Sequence, residues 1–141
     1  MHPTVAEDVA YGLQNQGVPA AERDARVADA LVRFGLDGHA DHPAHLLSGG
    51  QKQLLAIAGV LVMRPARVVF DEPTTLLDLL NTRRVAELIG GLAEQVVVVT
   101  HDLDLLTDFD RVLVVDRGRV VADDVPAPAL AAYRALMDAR R

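Results

Sequence analysis

Cysteine is absent from the sequence, which excludes disulfide bonds and thiolate metal sites. Aromatic residues are scarce at 4%, but half of the residues are hydrophobic, which is enough for a globular core. The longest apolar run, Leu54 to Met63, is interrupted by Gly59. It is far shorter than the roughly 18 residues that a membrane-spanning helix needs. The first residues, Met1 to Thr4, contain neither a basic nor a hydrophobic segment, so we expect no signal peptide and a cytoplasmic chain.

A basic surface is also lacking. The formal net charge is −6 over 141 residues, and Lys52 is the only lysine. Proteins that bind nucleic acid as their main partner carry a clustered positive footprint, so we expect no nucleic-acid partner. The single lysine follows Gly49-Gly50-Gln51 and precedes Gln53, which does not fit the phosphate-binding pattern Gly-x-x-x-x-Gly-Lys-Ser/Thr. The sequence therefore contains no Walker A motif.

The stretch Leu47-Ser48-Gly49-Gly50-Gln51 precedes a run of good helix formers. Ser48 is a favourable N-cap, and the two glycines allow the backbone to approach a bound anion closely. The N-terminus of a helix favours phosphate because its N–H groups and its dipole both attract negative charge. Taken alone, the stretch also fits an ordinary capped helix with a glycine-containing entry loop.

Two further apolar runs end in polar residues. Residues 67–70 predict a short strand that is followed by Asp71-Glu72-Pro73, and residues 96–99 predict a strand followed by Thr100-His101-Asp102. An apolar strand that ends in two carboxylates is the Walker B arrangement, in which one carboxylate holds Mg²⁺ and the next polarises the attacking water. The alternatives are a solvated turn at Asp71-Glu72 and a core histidine at position 101.

The ordered set of LSGGQ, apolar-DEP and apolar-THD resembles the nucleotide-binding subunit of ABC transporters. The resemblance extends from Thr4 onward but covers only the second half of a typical member of that family. It implies an α/β fold of the ABC-ATPase, P-loop NTPase type, seen as a fragment of a parallel sheet with an N-terminal helical subdomain. We expect a helical subdomain at 1–47, an α/β core with the signature helix at 48–122 and a C-terminal helical tail at 123–141.

The resemblance also implies roles for individual residues. In the LSGGQ stretch, Ser48, Gly49 and Gln51 would contact the γ-phosphate of ATP held by a second ATPase subunit. Gly50 would belong to the same nucleotide-binding stretch by allowing close approach of the backbone. Asp71 would hold Mg²⁺, and Glu72 and His101 would be catalytic. Asp78 matches the D-loop aspartate that couples the two sites of the dimer. The implied cofactors are ATP and Mg²⁺, and the implied location is the inner face of the cell membrane, next to integral-membrane transporter subunits.

Two segments indicate a branch of the family. Residues 3–12 are similar to the segment that follows the Q-loop in energy-coupling-factor transporters, which take up vitamins and transition metals. Residues 72–78 (EPTTLLD) are similar to those of biotin-importer ATPases. One hypothesis is therefore the ATPase subunit of such an importer, present as a truncated chain. The alternative is a catalytically incompetent interaction fragment that supplies LSGGQ to a partner or docks on a membrane subunit.

The local patterns predict the secondary structure. We expect helices over 5–13, 20–34, 54–63, 82–92 and 128–141, a short helix over 103–106, and a hairpin of strands 111–115 and 119–121. We expect the strand over 96–99 to be buried on both faces, because its residues are all β-branched. Residues 36–47 predict a turn-rich connection that contains His39, His42 and His45. A metal site is one interpretation of these histidines, but Pro43 interrupts the helix that would align them, so we favour a solvated loop.

Overall fold

The structure is a computed structural model that describes residues 2–75 and 77–140. Leu76, which belongs to the biotin-importer-like stretch, lies outside the described residues, as do Met1 and Arg141. The chain divides into two compact units, Met1–Val98 and Val99–Arg141. The expected division at residues 47 and 122 stays a prediction. No helix within 2–75 and 77–140 combines the length and the apolar character needed to cross a membrane.

The first unit opens with helix α1, Val5–Asn15, whose start is fixed by a capping box. The Thr4 hydroxyl accepts the Glu7 N–H at 3.2 Å, and the Glu7 carboxylate accepts the Thr4 N–H at 2.8 Å. This exchange satisfies two backbone donors that a helix start otherwise leaves without partners. Val5, Val9 and Leu13 are fully buried on one face of the helix. The predicted first helix, its cap and its buried face are confirmed.

Helix α2, Ala20–Arg33, and helix α3, Gly49–Leu61, complete the helical part of the first unit. Gly35 ends the segment of α2 with a φ of +65°, a left-handed conformation that suits glycine. The connection from α2 to α3 contains two single-turn 3₁₀ helices, Asp37–His39 and Ala44–Leu46, which confirms the turn-rich prediction. Helix α1 packs against both α2 and α3.

Strand β1, Arg67–Asp71, helix α4, Leu79–Gly90, and strand β2, Gln95–Val99, form a β-α-β unit. The strands pair with each other, and the Gln95 N–H donates to the Ala66 carbonyl at 3.2 Å. This bond places the beginnings of the two strands side by side, so the strands run parallel. Helix α4 begins three residues before the predicted start because the Asp78 carboxylate caps it, accepting the Asn81 N–H at 2.8 Å.

The prediction that β2 is buried on both faces was wrong. Its residues alternate between exposed and half-buried, and the side chain of Val97 is 49% exposed. Burial on both faces requires a layer on each side of a sheet. In the described part of the chain, β2 pairs with β1 alone, and Val69 of β1 is also exposed at 67%. This pair of strands therefore has an open face, on which the exposed apolar residues are Val69, Val97 and Val99.

The second unit contains a 3₁₀ turn at Asp104–Leu106, strands β3, Val112–Asp116, and β4, Arg119–Asp124, and helix α5, Pro126–Asp138. The predicted short helix, hairpin and C-terminal helix are confirmed, with β4 three residues longer and α5 beginning two residues earlier. Arg117 and Gly118 turn the hairpin with φ angles of +48° and +75°, the signs that a type I′ turn requires. Val112 and Val114 pack against Ala129 of α5.

Candidate functional site

Ser48 caps helix α3 through a second capping box. Its hydroxyl accepts the Gln51 N–H at 3.3 Å, and the Gln51 carboxamide oxygen accepts the Ser48 N–H at 2.9 Å. Ser48 and Gly49 are exposed, whereas Gly50 is buried. The predicted cap is therefore confirmed, with the glycines in the first turn of the helix. The exposed part of this turn provides a place where an anion can meet the positive end of the helix dipole.

Gly50 lies directly against the first turn of α4. A Cβ atom added to Gly50 would collide with the carboxamide of Asn81. Asn81 is held in turn by Asp78, whose carboxylate accepts both the backbone N–H of Asn81 and its side-chain amide, at 2.8 and 3.0 Å. The structure thus joins two sequence-predicted positions, Gly50 and Asp78, through Asn81, which was not among the predicted site residues. The available signal was an asparagine three residues after the predicted D-loop aspartate.

Gln51 has a second polar neighbour in the turn-rich connection. Its carboxamide nitrogen lies 2.9 Å from Nε2 of His39, and Nδ1 of His39 lies 3.0 Å from Nδ1 of His42. His42 and His45 are exposed, as a solvated loop predicts, whereas His39 is half-buried. Within the described residues, no group of three or more histidines and carboxylates is arranged to hold a metal ion.

The carboxylate pair follows β1 as predicted. Asp71 is the last residue of the strand and is exposed, and Glu72 adopts a left-handed conformation with φ +48°. Such a conformation in a residue other than glycine costs on the order of 1–3 kcal/mol and persists only where the surroundings impose it. Here the backbone N–H and the hydroxyl of Thr75 donate to Glu72, at 3.2 and 3.3 Å, and Pro73 is fully buried. The two acidic side chains therefore leave the strand through a turn that is ordered by hydrogen bonds, with Asp71 exposed to solvent.

His101 lies in the second unit, two residues after the end of β2, and its side chain is exposed. Its exposure excludes the core-histidine interpretation. Side chains order the adjacent turn, since the Thr100 hydroxyl accepts the Asp102 N–H at 3.0 Å and the Asp102 carboxylate accepts the Asp104 N–H at 3.2 Å. The candidate residues are thus distributed over both units: the signature, Asp78 and the carboxylate pair in the first, and His101 in the second.

The sequence matches a known protein family. The family model described as ABC transporter matches residues 2–75, which is more than half of the chain. The chain belongs to the ABC transporter family. The matched segment contains the capped turn of α3, Ser48 to Gln51, and the carboxylate pair at the end of β1. Both features therefore lie in the part of the chain that matches the family.

Individual relatives agree with this assignment. A Deinococcus radiodurans protein whose name describes an ABC transporter ATP-binding protein is 60% identical over 135 residues, covering 96% of this chain and 60% of the relative. The biotin transport ATP-binding protein BioM of Rhizobium etli is 47% identical over 132 residues, covering 94% of this chain and 59% of the relative. The chain therefore spans about 60% of the length of these ABC proteins.

A solved ABC structure shows the same fold. The structure of cbiO1 from Clostridium perfringens, part of the ABC transporter complex cbiONQ, matches with a TM-score of 0.82 and 35% sequence identity. The match covers 98% of this chain and 57% of the solved one. The predicted α/β fold of the ABC-ATPase type is therefore confirmed, and so is the resemblance to the biotin and cobalt importer ATPases.

Proposed function

We propose that this chain supplies the signature, Walker B and switch segments of an ATP-hydrolysing subunit in an energy-coupling-factor importer for a vitamin or a metal ion. The observation that carries the proposal is the start of α3, where the capped Ser48–Gln51 turn lies against the Asp78-Asn81 cap of α4. The names of the relatives BioM and CbiO support the importer class.

The proposed roles follow from the chemistry of each position. Ser48 offers a hydroxyl, and the first turn of α3 offers helix N–H groups, to the γ-phosphate of ATP bound by a second ATPase subunit. Glu72 orients and polarises the attacking water, and His101 assists at the γ-phosphate. In this proposal Asp78 couples the two halves of the dimer. The second subunit and integral-membrane transporter subunits are the proposed partners, at the inner face of the membrane.

The Asp71 carboxylate fits a role in holding Mg²⁺. At phosphoryl-transfer sites this ion is bound by one or two carboxylates, with water and substrate phosphates completing its octahedral shell. Asp71 is an exposed oxygen donor at the end of β1, so it can supply one such ligand without displacing a buried neighbour. When bound, the ion would neutralise charge that develops on the phosphates.

A second candidate function is a catalytically incompetent interaction fragment. The observation that favours it is the lack of a Walker A motif within these 141 residues, since the only lysine, Lys52, is an exposed residue of α3. Phosphoryl transfer depends almost entirely on positioning and electrostatic stabilisation of the phosphates. We therefore expect the 141-residue chain by itself neither to bind ATP tightly nor to hydrolyse it.

The decisive experiment compares Glu72→Gln with the unchanged protein in the native gene product. We expect the variant to retain ATP binding and to lose hydrolysis, because the amide cannot take up the role of the carboxylate. Glu87→Gln, which neutralises an exposed carboxylate on α4, is the matched control and should hydrolyse ATP at the normal rate. Unchanged turnover in Glu72→Gln would refute the catalytic role of Glu72.

The intact mass of the native gene product separates the two candidate functions. A mass well above 15.2 kDa, with residues that precede Met1, would agree with an ABC ATPase that carries its own Walker A motif. A mass of 15.2 kDa together with stoichiometric ATP binding in calorimetry would contradict the expectation that this chain by itself does not bind ATP tightly. The same mass without nucleotide binding would favour the interaction fragment.

A further inference from the structure

The side chain of His39 connects the turn-rich loop to the signature turn. Its Nε2 atom lies 2.9 Å from the carboxamide nitrogen of Gln51, and its Nδ1 atom lies 3.0 Å from Nδ1 of His42. His39 and Gln51 are both half-buried, and they are separated by twelve residues in the sequence. This contact links the loop to the capping box of α3.

The backbone N–H of Ser48 determines which atoms donate and which accept in the hydrogen bonds from Gln51 to His39 and His42. The Ser48 N–H can only donate, so the Gln51 carboxamide must present its oxygen to Ser48 and its nitrogen to His39. Nε2 of His39 must therefore accept, which places the proton of the neutral imidazole on Nδ1. That proton is then donated to Nδ1 of His42. Rotating the carboxamide of Gln51 by half a turn would bring two N–H donors together at Ser48.

The loop that carries His39 is itself anchored to the start of α1. The Val5 N–H donates to the His42 carbonyl at 2.9 Å, and the Ala6 N–H donates to the Ala40 carbonyl at 3.0 Å. The N–H of His39 donates to the carbonyl of Leu36, a fully buried residue, at 2.9 Å. His39 therefore holds a defined position relative to the signature turn.

We propose that His39 is a positioning residue of the signature turn, acting as a hydrogen-bond acceptor that fixes the Gln51 carboxamide. The inference rests on the proposed function, in which this turn contacts the γ-phosphate of ATP on a second subunit. One N–H of the Gln51 carboxamide is held by His39, and the same contact sets the direction of the other N–H. It also keeps the Gln51 oxygen on the Ser48 N–H, which maintains the first turn of α3 in its capped form.

The test replaces His39 with residues that differ in whether they can accept or only donate a hydrogen bond. His39→Gln offers an acceptor, His39→Lys offers donors only, and His39→Leu offers neither. His45→Leu is the matched control, because His45 lies in the same loop, is exposed and has its ring 4.4 Å from that of His2. The variants are introduced at the native locus, so that the protein is assayed as the cell makes it.

Hydrogen exchange of residues 48–53, measured by mass spectrometry without nucleotide, is the readout that does not depend on ATP hydrolysis. Loss of one hydrogen bond corresponds to a factor of about two to ten in an equilibrium. We expect His39→Leu and His39→Lys to accelerate exchange in this segment by about two- to tenfold on the same basis. His39→Gln and His45→Leu should exchange as the unchanged protein does. Equal effects of His39→Gln and His39→Lys would overturn the acceptor role.

The ATPase assay then examines the consequence for the proposed function. We expect His39→Leu and His39→Lys to lower kcat/KM for ATP by about two- to tenfold, with His39→Gln restoring most of the loss. Normal activity in all three variants would overturn the positioning role. If the unchanged protein does not hydrolyse ATP, the proposed function fails, but the exchange measurement still decides whether His39 fixes the signature turn.

Discussion

At the scale of single residues, the most constrained position is Gly50, the second glycine of the signature. Its buried Cα atom lies against the carboxamide of Asn81, whereas the neighbouring Gly49 has open space around it. The two glycines therefore have different physical requirements, although they are adjacent in the sequence. Gly50 is needed for close approach between α3 and α4, and Gly49 is not needed for any contact within the described part of the protein.

This difference gives a stability prediction with an internal control. Gly50→Ala should destabilise the protein by about 1–3 kcal/mol, because its methyl group must push the Asn81 carboxamide away from the Asp78 carboxylate that it bonds. Gly49→Ala should be neutral or stabilising by up to about 1 kcal/mol, because alanine favours the helix and meets no neighbour. Urea unfolding of the two variants measures both effects.

A double variant, Gly50→Ala with Asn81→Ala, separates the collision between the new methyl group and the Asn81 carboxamide from other effects of that methyl group. Asn81→Ala alone loses its side-chain bond to Asp78 but leaves room for a Cβ at position 50. We expect the double variant to be more stable than the sum of the two single changes predicts. Simple additivity would show that the contact between Gly50 and Asn81 does not limit the packing of α3 against α4.

At the scale of elements, helix caps could be predicted from the sequence, whereas contacts between residues distant in the sequence could not. The caps at Thr4 and Ser48 are confirmed because each depends on a pattern four residues long. The bond between His39 and Gln51 spans twelve residues, so no local pattern indicates it. The burial of β2 was wrongly predicted because β-branched residues show only that a segment favours a strand. They do not show whether other elements cover the two faces of that strand.

The β3–β4 hairpin gives a prediction about pH. The Arg111 guanidinium donates two bonds of 2.6 Å to Asp123, and these bonds lower the pKa of the Asp123 carboxyl and raise the pKa of Arg111. A carboxyl whose pKa is lower in the folded state stabilises that state above its unfolded pKa of about 3.9. The stabilisation disappears as the pH falls through the lower, folded value.

Asp123→Asn should therefore reduce stability at pH 7, modestly because both partners are exposed, and the difference should vanish in strong acid. Asp110→Asn, at an exposed position next to Arg111, is the matched control and should change stability little. Urea midpoints recorded at several pH values measure the two variants. A deficit for Asp123→Asn that persists unchanged below the folded pKa would contradict the ion-pair explanation.

At the scale of the whole molecule, the exposed valines on the open face of β1 and β2 are the feature that another polypeptide is most expected to cover. Val69 and Val97 are 67% and 49% exposed on these parallel strands. Adjacent valines on a sheet form a contiguous apolar surface, and such surfaces mark sites that another polypeptide covers or that cause aggregation. ABC relatives are longer than this chain, which spans about 60% of their length, so they contain additional polypeptide that could cover this face.

We therefore expect the 141-residue chain to self-associate at micromolar concentrations when it is purified alone. Val69→Thr combined with Val97→Thr should shift it toward the monomer, because threonine keeps the β-branched shape and adds a hydroxyl that water can solvate. The control pair is Tyr11→Thr and Val32→Thr, which removes two comparably exposed apolar side chains from helices. Sedimentation velocity distinguishes the two pairs. A monodisperse monomer for the unchanged chain, or equal effects of both pairs, would show that the strand face does not drive association.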